Sequence, residues 1–393
     1  MAKQSEKEKS QFSRYCLCRL FLIEYSVMII KRKEHVFKLF KSIEKIFDCN
    51  DLYNYILNEY LEEKYDYITQ EDIQSVKKEN GIKDDKEAFM QCFYDLLGLT
   101  DEDDNQLLYL EENNHLSDFY SLSPSLIEDN PYHRFLSSLD LKTSSYKSIE
   151  LKKNFFNPYE GFLFDEVKNN SLHEVNFLGF FKRKVEYFEL VKNGIVWMSD
   201  TPYEINTMRE IINKTKNNVL TFGLGLGYFP FMASIKDDVK KVTVVENDME
   251  VIEFFKKNLL PRFPNKEKIE IVYADAFSYI EKNDLLKYSI IFVDTYHFTE
   301  DILNYFRFLK LLKTYRDKRF FWIENSLLSM LRRYVFICLS SCFEKIDFSM
   351  YSKEEMMIIK TINSKLKDHV IENENDIHHL FEDDFIRGIF EDE

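Results

Sequence analysis

The sequence predicts an α/β protein built on a doubly wound, mostly parallel sheet, with a helical N-terminal domain and a small β element leading into the sheet. Three observations predict it. Three of the nine glycines, Gly223, Gly225 and Gly227, crowd together directly after the apolar run Asn218-Val219-Leu220-Thr221-Phe222. Short β-branched and aromatic runs then alternate with helical patterns to about residue 350. Most of those runs end on an acid: Glu246, Asp294 and Glu324 directly, Asp275 one residue on.

From Tyr15 to about Leu139 the spacing is helical, with apolar residues three and four apart, as in Val36, Leu39, Phe40, Ile43 and Phe47. Asn80-Gly81, Asp101 to Asp104 and Ser121 to Ser125 punctuate it. Nothing in this stretch is a catalytic signature, so residues 1–143 read as an accessory domain, available for homo-oligomerisation. Residues 144–200 change texture to short aromatic and β-branched runs. Val185 to Leu190 and Gly194 to Met198 form a hairpin through Lys192-Asn193-Gly194, because Asn-Gly suits turn positions with positive φ. Thr201-Pro202 with Glu204 then opens a helix to about Lys214, Thr as N-cap, Pro first and Glu third.

The glycine-motif domain, residues 201–350, carries candidate strands Val219–Phe222, Val242–Val245, Ile269–Tyr273, Tyr288–Val293 and Arg319–Ile323. Helices at Tyr228–Ile235, Met249–Leu260, Thr299–Thr314 and Ser326–Ser341 separate most of them. Right-handed crossovers need such helices to return the chain, so the sheet is parallel and Rossmann-like. Sixth and seventh strands are not evident, although Phe343–Phe348 could supply one; residues 351–393 read as amphipathic helix with an acidic tail.

Composition narrows the function. The 53 basic and 68 acidic side chains leave a net charge of −15, which repels phosphate backbones and disfavours a nucleic-acid partner. The runs Lys31-Arg32-Lys33 and Lys182-Arg183-Lys184 read as solvated faces. Cys16, Cys18, Cys49, Cys92, Cys338 and Cys342 have neither zinc-site spacing nor the density of a disulfide scaffold, so reduced thiols and no metal are expected. The apolar stretch Tyr15 to Ile30 is too short and too charged to span a membrane, and no signal-peptide pattern precedes it. A cytoplasmic residence, without a membrane partner, is the expectation.

In a parallel sheet all strand C-termini share one edge, so the glycine turn and the acids converge on one crevice, where ligands of open α/β sheets bind. Each acid could equally cap the helix after it. Glu246 lies about twenty residues beyond the glycines, where a second-strand acid takes ribose hydroxyls. A nicotinamide dinucleotide would prefer glycine-x-glycine-x-x-glycine, yet Tyr228 occupies the third place of that frame and would crowd a pyrophosphate.

With Phe222 to Gly227, Glu246, Asp275-Ala276 and Asp294, about a third of the chain resembles the class I S-adenosylmethionine-dependent methyltransferases. The resemblance implies S-adenosylmethionine as cofactor. Gly223, Gly225 and Gly227 would lie under its methionine portion, with Tyr228 beside them, and Glu246 would hold the ribose. Asp275 would meet the adenine amino group, Ala276 and Phe277 would flank the ring, and Asp294 would border the methionine amine and the acceptor. Leu190 to Met198 followed by Glu204 to Met208 is similar to the lead-in of the spermidine-synthase branch. Three features depart from that branch: Leu226 replaces an aspartate of the glycine turn, Thr207 stands near its tyrosine-histidine pair, and Thr295-Tyr296-His297 follows Asp294. Thr221 departs from the methyltransferase pattern, where an acid often precedes the first glycine by two places.

A sulfonium donor carries its own activation, so the protein's work is alignment in a dry, correctly charged pocket. Aromatic faces such as Tyr228, Phe229 or Tyr296 suit a cation. Asp294 and His297 are the candidate catalytic residues, His297 as a base toward an oxygen or nitrogen acceptor. An Asn-Pro-Pro-Tyr motif is missing after the fourth strand, which points to a small-molecule or protein acceptor instead of a nucleic acid. Three readings follow: methyl transfer, aminopropyl transfer from decarboxylated S-adenosylmethionine, and a non-catalytic interaction scaffold.

Overall fold

The computed structural model describes residues 28–62, 68–99, 109–110, 118–139, 145–295 and 301–391. Two compact units divide the described residues, one from Ile43 to Ser329 and the other joining those up to Ser42 with those from Met330 on. No helix among the described residues is long and apolar enough to cross a membrane.

The larger unit is organised by a five-stranded sheet whose strands are β1 (Asn217–Phe222), β2 (Val239–Glu246), β3 (Ile269–Tyr273), β4 (Ile290–Val293) and β5 (Arg319–Phe321). Every pairing in it is parallel, in the order β3-β2-β1-β4-β5. The chain winds outward one way through β2 and β3 and the other way through β4 and β5, so the order reverses between β1 and β4. That is the switch point at which a crevice opens above a doubly wound sheet. β4 is buried at every position and β1 from Val219 on, as central parallel strands require. Phe343 to Phe348 adds no strand; it runs as a turn into a short 3₁₀ segment.

Before the sheet come helices Lys33–Leu61, Gln70–Asn80 and Asp85–Leu96. Val36, Phe40, Ile43 and Phe47 are buried on the first, and Gly81, at φ 70°, closes the second. The helical spacing does not hold to Leu139: Asp118–Ser121 is a strand, parallel to His173–Phe180. Gly161–Asn170 completes that three-stranded sheet. The helices cover it through Tyr60, whose hydroxyl accepts the Gly161 N–H at 3.0 Å, and through Phe89, stacked on Phe180 at 4.4 Å. A four-stranded antiparallel sheet follows, with the order Ser145–Tyr146, Ile149–Phe156, Val185–Lys192, Ile195–Ser199. Its last hairpin turns at Asn193 and Gly194, φ 52° and 82°, as their residue types predict.

Helix Pro202–Lys214 then leads to β1, but Thr201 does not cap it: its hydroxyl meets Ser199 Oγ at 3.0 Å. Glu204 is therefore no capping-box partner. Lys182 pairs with Asp85 and Arg183 with Glu128 at the surface.

The smaller unit holds the parallel pair Ile29–Ile30 and Val370–Ile371 and helices Lys353–Leu366, Glu374–His379 and Asp383–Glu391. Phe40 stacks on Phe343 at 4.8 Å and on Phe336 at 5.6 Å, and Arg332 pairs with Asp383.

Candidate functional site

Register aligns the C-terminal ends of all five strands. Phe222 lies opposite Val245 on one side and Val293 on the other; Glu246 is opposite Tyr273, and Val293 opposite Phe321. The segments that leave these ends surround one cavity of about 660 Å³, within the range of small-molecule sites. Gly223, Leu224 and Gly225 line it below, Glu246, Asp275, Ala276 and Phe277 on the β2–β3 side, and Asp294, Thr295, Trp322 and Ile323 beyond the switch point. The hairpin residues Lys192, Asn193 and Ile195 to Met198 and helix residue Glu204 supply another wall.

The glycine turn is held by the protein's own packing. Gly223, Gly225 and Gly227 have φ of 96°, 49° and 86°, left-handed values that side chains resist. A Cβ on Gly223 would stand 1.9 Å from the Asp294 carbonyl oxygen, and one on Gly227 would stand 2.3 Å from the Phe255 ring. Gly227 and Tyr228 do not line the cavity. Tyr228 is a core residue, its ring edge-on to Tyr132 and its hydroxyl accepting from Asn130 Nδ2 at 3.1 Å. Phe229 is also core, stacked on Phe292 at 4.4 Å. These two rings are corrected from ligand contacts to structural supports. Tyr296 and His297 lie outside the described residues.

Glu246 joins β2 to the turn. Its Oε2 accepts the Leu224 N–H at 2.9 Å, and its Oε1 accepts those of Asn247 and Asp248, each at 2.8 Å. Burial nevertheless raises its carboxyl above the ordinary range. Asp275 caps helix Ala276–Lys282 by accepting the Ser278 N–H at 2.9 Å, and so serves its helix while edging the cavity. Asp294 is partly buried, and desolvation, reinforced by Glu246, lifts its carboxyl to about 7. Glu324 starts the next helix, accepts from Tyr305 Oη at 2.7 Å, and is not in the lining.

The lining is acidic and aromatic. Glu204, Glu246, Asp275 and Asp294 face a single lysine, Lys192, which is paired with Asp248. Trp197, Phe277, Phe308 and Trp322 complete the walls. Trp322 Nε1 donates to Thr207 Oγ1 at 2.9 Å, so Thr207 supports the wall.

No protein-family model matches the chain, and no curated protein matches it. Solved structures overlap parts of it. TrmK of M. capricolum, in complex with S-adenosyl-homocysteine, is 12% identical over 27% of this chain and 44% of that one, with a TM-score of 0.22. Coclaurine N-methyltransferase bound to N-methylheliamine and S-adenosyl-homocysteine is 24% identical, over 21% of this chain and 23% of that one, with a TM-score of 0.17. A spermidine synthase in complex with the transition-state analogue AdoDATO is 20% identical, over 33% of this chain and 53% of that one, with a TM-score of 0.23. The chain spans about half the length of these structures or less, and its fold assignment rests on its own strand order and register.

The sequence marks Glu204 only as a helix-start residue. In the structure it is buried, lines the cavity, and its Oε2 has no hydrogen-bond partner among the described residues. Thr295, also in the lining, has its Oγ1 buried and likewise unpartnered among the described residues. The available signal was a glutamate in a register of otherwise apolar helix positions, Ile205, Met208 and Ile212, but helical spacing alone does not say what lies opposite.

Proposed function

We propose that this chain is an S-adenosylmethionine-dependent methyltransferase acting on a small-molecule or protein acceptor. One observation carries the reading: the glycine turn, Glu246, Asp275 and Asp294 meet in register around one acid-lined, aromatic-walled cavity at the switch point. An adenosyl sulfonium has the shape and charge for it. Two buried polar atoms without partners among the described residues, Glu204 Oε2 and Thr295 Oγ1, fit a cavity built for a polar occupant.

In this reading the turn at Gly223 and Gly225 underlies the methionine portion. An ionised carboxylate offers about four lone-pair sites, and three of those on Glu246 are filled by backbone N–H groups. One site therefore remains on Oε2 for a ribose hydroxyl. Asp275, Ala276 and Phe277 flank the adenine, and Asp294 faces the sulfonium and the acceptor. The bound donor supplies a methyl group on a positively charged sulfur leaving group. The chain's residues align the acceptor with that methyl, exclude water through Trp197, Phe277 and Trp322, and take up the acceptor's proton. A carboxyl near 7, as at Asp294, suits that proton transfer.

Aminopropyl transfer is the weaker reading because Leu226, in the place of an aspartate of that branch, is fully buried, with its N–H on Met198 Sδ at 3.0 Å. The chain has only two tryptophans, and both line the cavity. Intrinsic fluorescence thus reports occupancy directly. S-adenosylmethionine and S-adenosyl-homocysteine should each give a saturable change and NAD none. Preference for decarboxylated S-adenosylmethionine would reverse the ranking, and silence toward all of them would leave the scaffold reading.

A further inference from the structure

The cavity carries one acid that the roles above leave unused. Glu204 is 8% exposed and sits in the first turn of helix Pro202–Lys214. Burial, and after it the nearby Asp294, raise its carboxyl well above the ordinary range, and the Ser199 backbone N–H works against them. Glu204 lines the cavity, and its Oε2 is buried with no partner among the described residues. A buried carboxylate oxygen without a donor is expensive, and among the described residues no cation answers it: Lys192, the only basic one of them in the lining, is paired with Asp248. Asp294, at the end of β4, lines the same cavity, and the neighbouring Thr295 Oγ1 also has no partner among the described residues. Acids and a hydroxyl, walled by Trp197 and Trp322, make a receptor for a small cation that donates hydrogen bonds.

We propose that Glu204, together with Asp294, is the receiving site for a primary ammonium group, with one N–H directed to Glu204 Oε2. The ammonium belongs either to an aliphatic amine acceptor or to the amino-acid end of the adenosyl donor. The inference rests on the adenosyl reading for what lies beside the site, and on Glu204 itself for the charge.

Tryptophan fluorescence of the full chain separates the sources with three probes. 5′-Methylthioadenosine lacks an ammonium, S-adenosyl-homocysteine carries one, and n-butylamine is an ammonium alone, with n-butanol as its neutral counterpart. Wild type should bind n-butylamine but not n-butanol in the presence of 5′-methylthioadenosine. Glu204→Gln, nearly isosteric, should weaken the ammonium-bearing probe about tenfold or more, the scale of a charge-assisted hydrogen bond, and leave 5′-methylthioadenosine unchanged. Loss for n-butylamine alone assigns the site to an acceptor amine; loss for S-adenosyl-homocysteine alone assigns it to the donor. Glu204→Asp, which keeps the charge but retracts it, should fall between the two, and thermal melting checks that both variants fold. Affinities within twofold of wild type for both ammonium probes in folded Glu204→Gln would overturn the proposal. If 5′-methylthioadenosine fails to bind wild type while n-butylamine still does so through Glu204, the adenosyl reading falls and the ammonium site stands.

Discussion

Gly223 and Gly194 show how differently two glycines with positive φ can matter. Both have left-handed backbones, φ 96° and 82°. A Cβ on Gly194 would meet nothing within 4 Å, whereas one on Gly223 would strike the Asp294 carbonyl at 1.9 Å. That carbonyl cannot move without parting the ends of β1 and β4, where Asp294 N–H donates to the Phe222 carbonyl at 2.9 Å. Gly194→Ala should therefore lose only the left-handed penalty, about 1 kcal/mol. Gly223→Ala should lose at least about 3 kcal/mol, the range of substitutions that force a core contact apart. Urea unfolding of the two variants measures the difference, and equal losses would show that Gly223 is needed for φ alone. Glycine crowding was legible in the sequence; its cause, close approach of the chain's own Asp294, was not.

The ends of the secondary structures, more than their middles, build the site. Asp248 caps helix Met249–Asn258 by accepting the Glu250 N–H at 2.9 Å, which leaves Glu246 free to hold the glycine turn through Leu224. On the far side, helix Pro131–Ser137 braces the same turn through Tyr132 Oη, bonded to the Leu226 carbonyl. Buried His133 meets buried Asp200 at 2.7 Å, and Asp200 accepts the Phe188 N–H at 2.6 Å, tying that helix to the β hairpin. Removing the Glu246 carboxylate should thus loosen the turn as well as remove a ribose contact. Glu246→Ala should weaken S-adenosyl-homocysteine binding by at least about 1 kcal/mol, roughly fivefold. Unchanged affinity in the folded variant, by fluorescence titration, would take the ribose away from Glu246. Strand ends and their acids were readable because each is local; the bracing by Tyr132, from nearly a hundred residues earlier, was hidden because hydrogen bonds between distant segments leave no periodicity.

Across the larger unit, carboxyls with raised pKa set a common pH response. Burial lifts both Asp294 and Glu166 to about 7, Glu166 while it accepts the Ser326 N–H at 2.8 Å. Between their ordinary carboxyl range and about 7 the native chain binds more protons than the unfolded one, so stability falls as pH rises through that window. Asp85, Asp248 and Glu270 are shifted the other way and lose their contribution only at lower pH. The melting temperature of the ligand-free protein should therefore fall from pH 5 to pH 8. A cationic ligand favours ionised Asp294, so S-adenosylmethionine should bind more tightly at pH 8 than at pH 6, up to about tenfold. A melting temperature that climbs over this range, or affinity that weakens, would contradict the burial of these acids.

Sequence alone carried the sheet: alternating runs, a glycine turn and acids at strand ends are local patterns, and parallel connectivity follows from the helices between them. It also carried the side of the sheet on which Glu246, Asp275 and Asp294 gather, because all parallel strands end together. Which of those residues reach the cavity was decided by packing. Tyr228 and Phe229 adjoin the glycines in the chain, yet the helix they begin turns them into the core. Glu204 lies about twenty residues before the turn, yet the hairpin and helix start bring it to the wall. Burial and an unpartnered oxygen are properties of what surrounds a side chain, and those surroundings come from segments far apart in the chain.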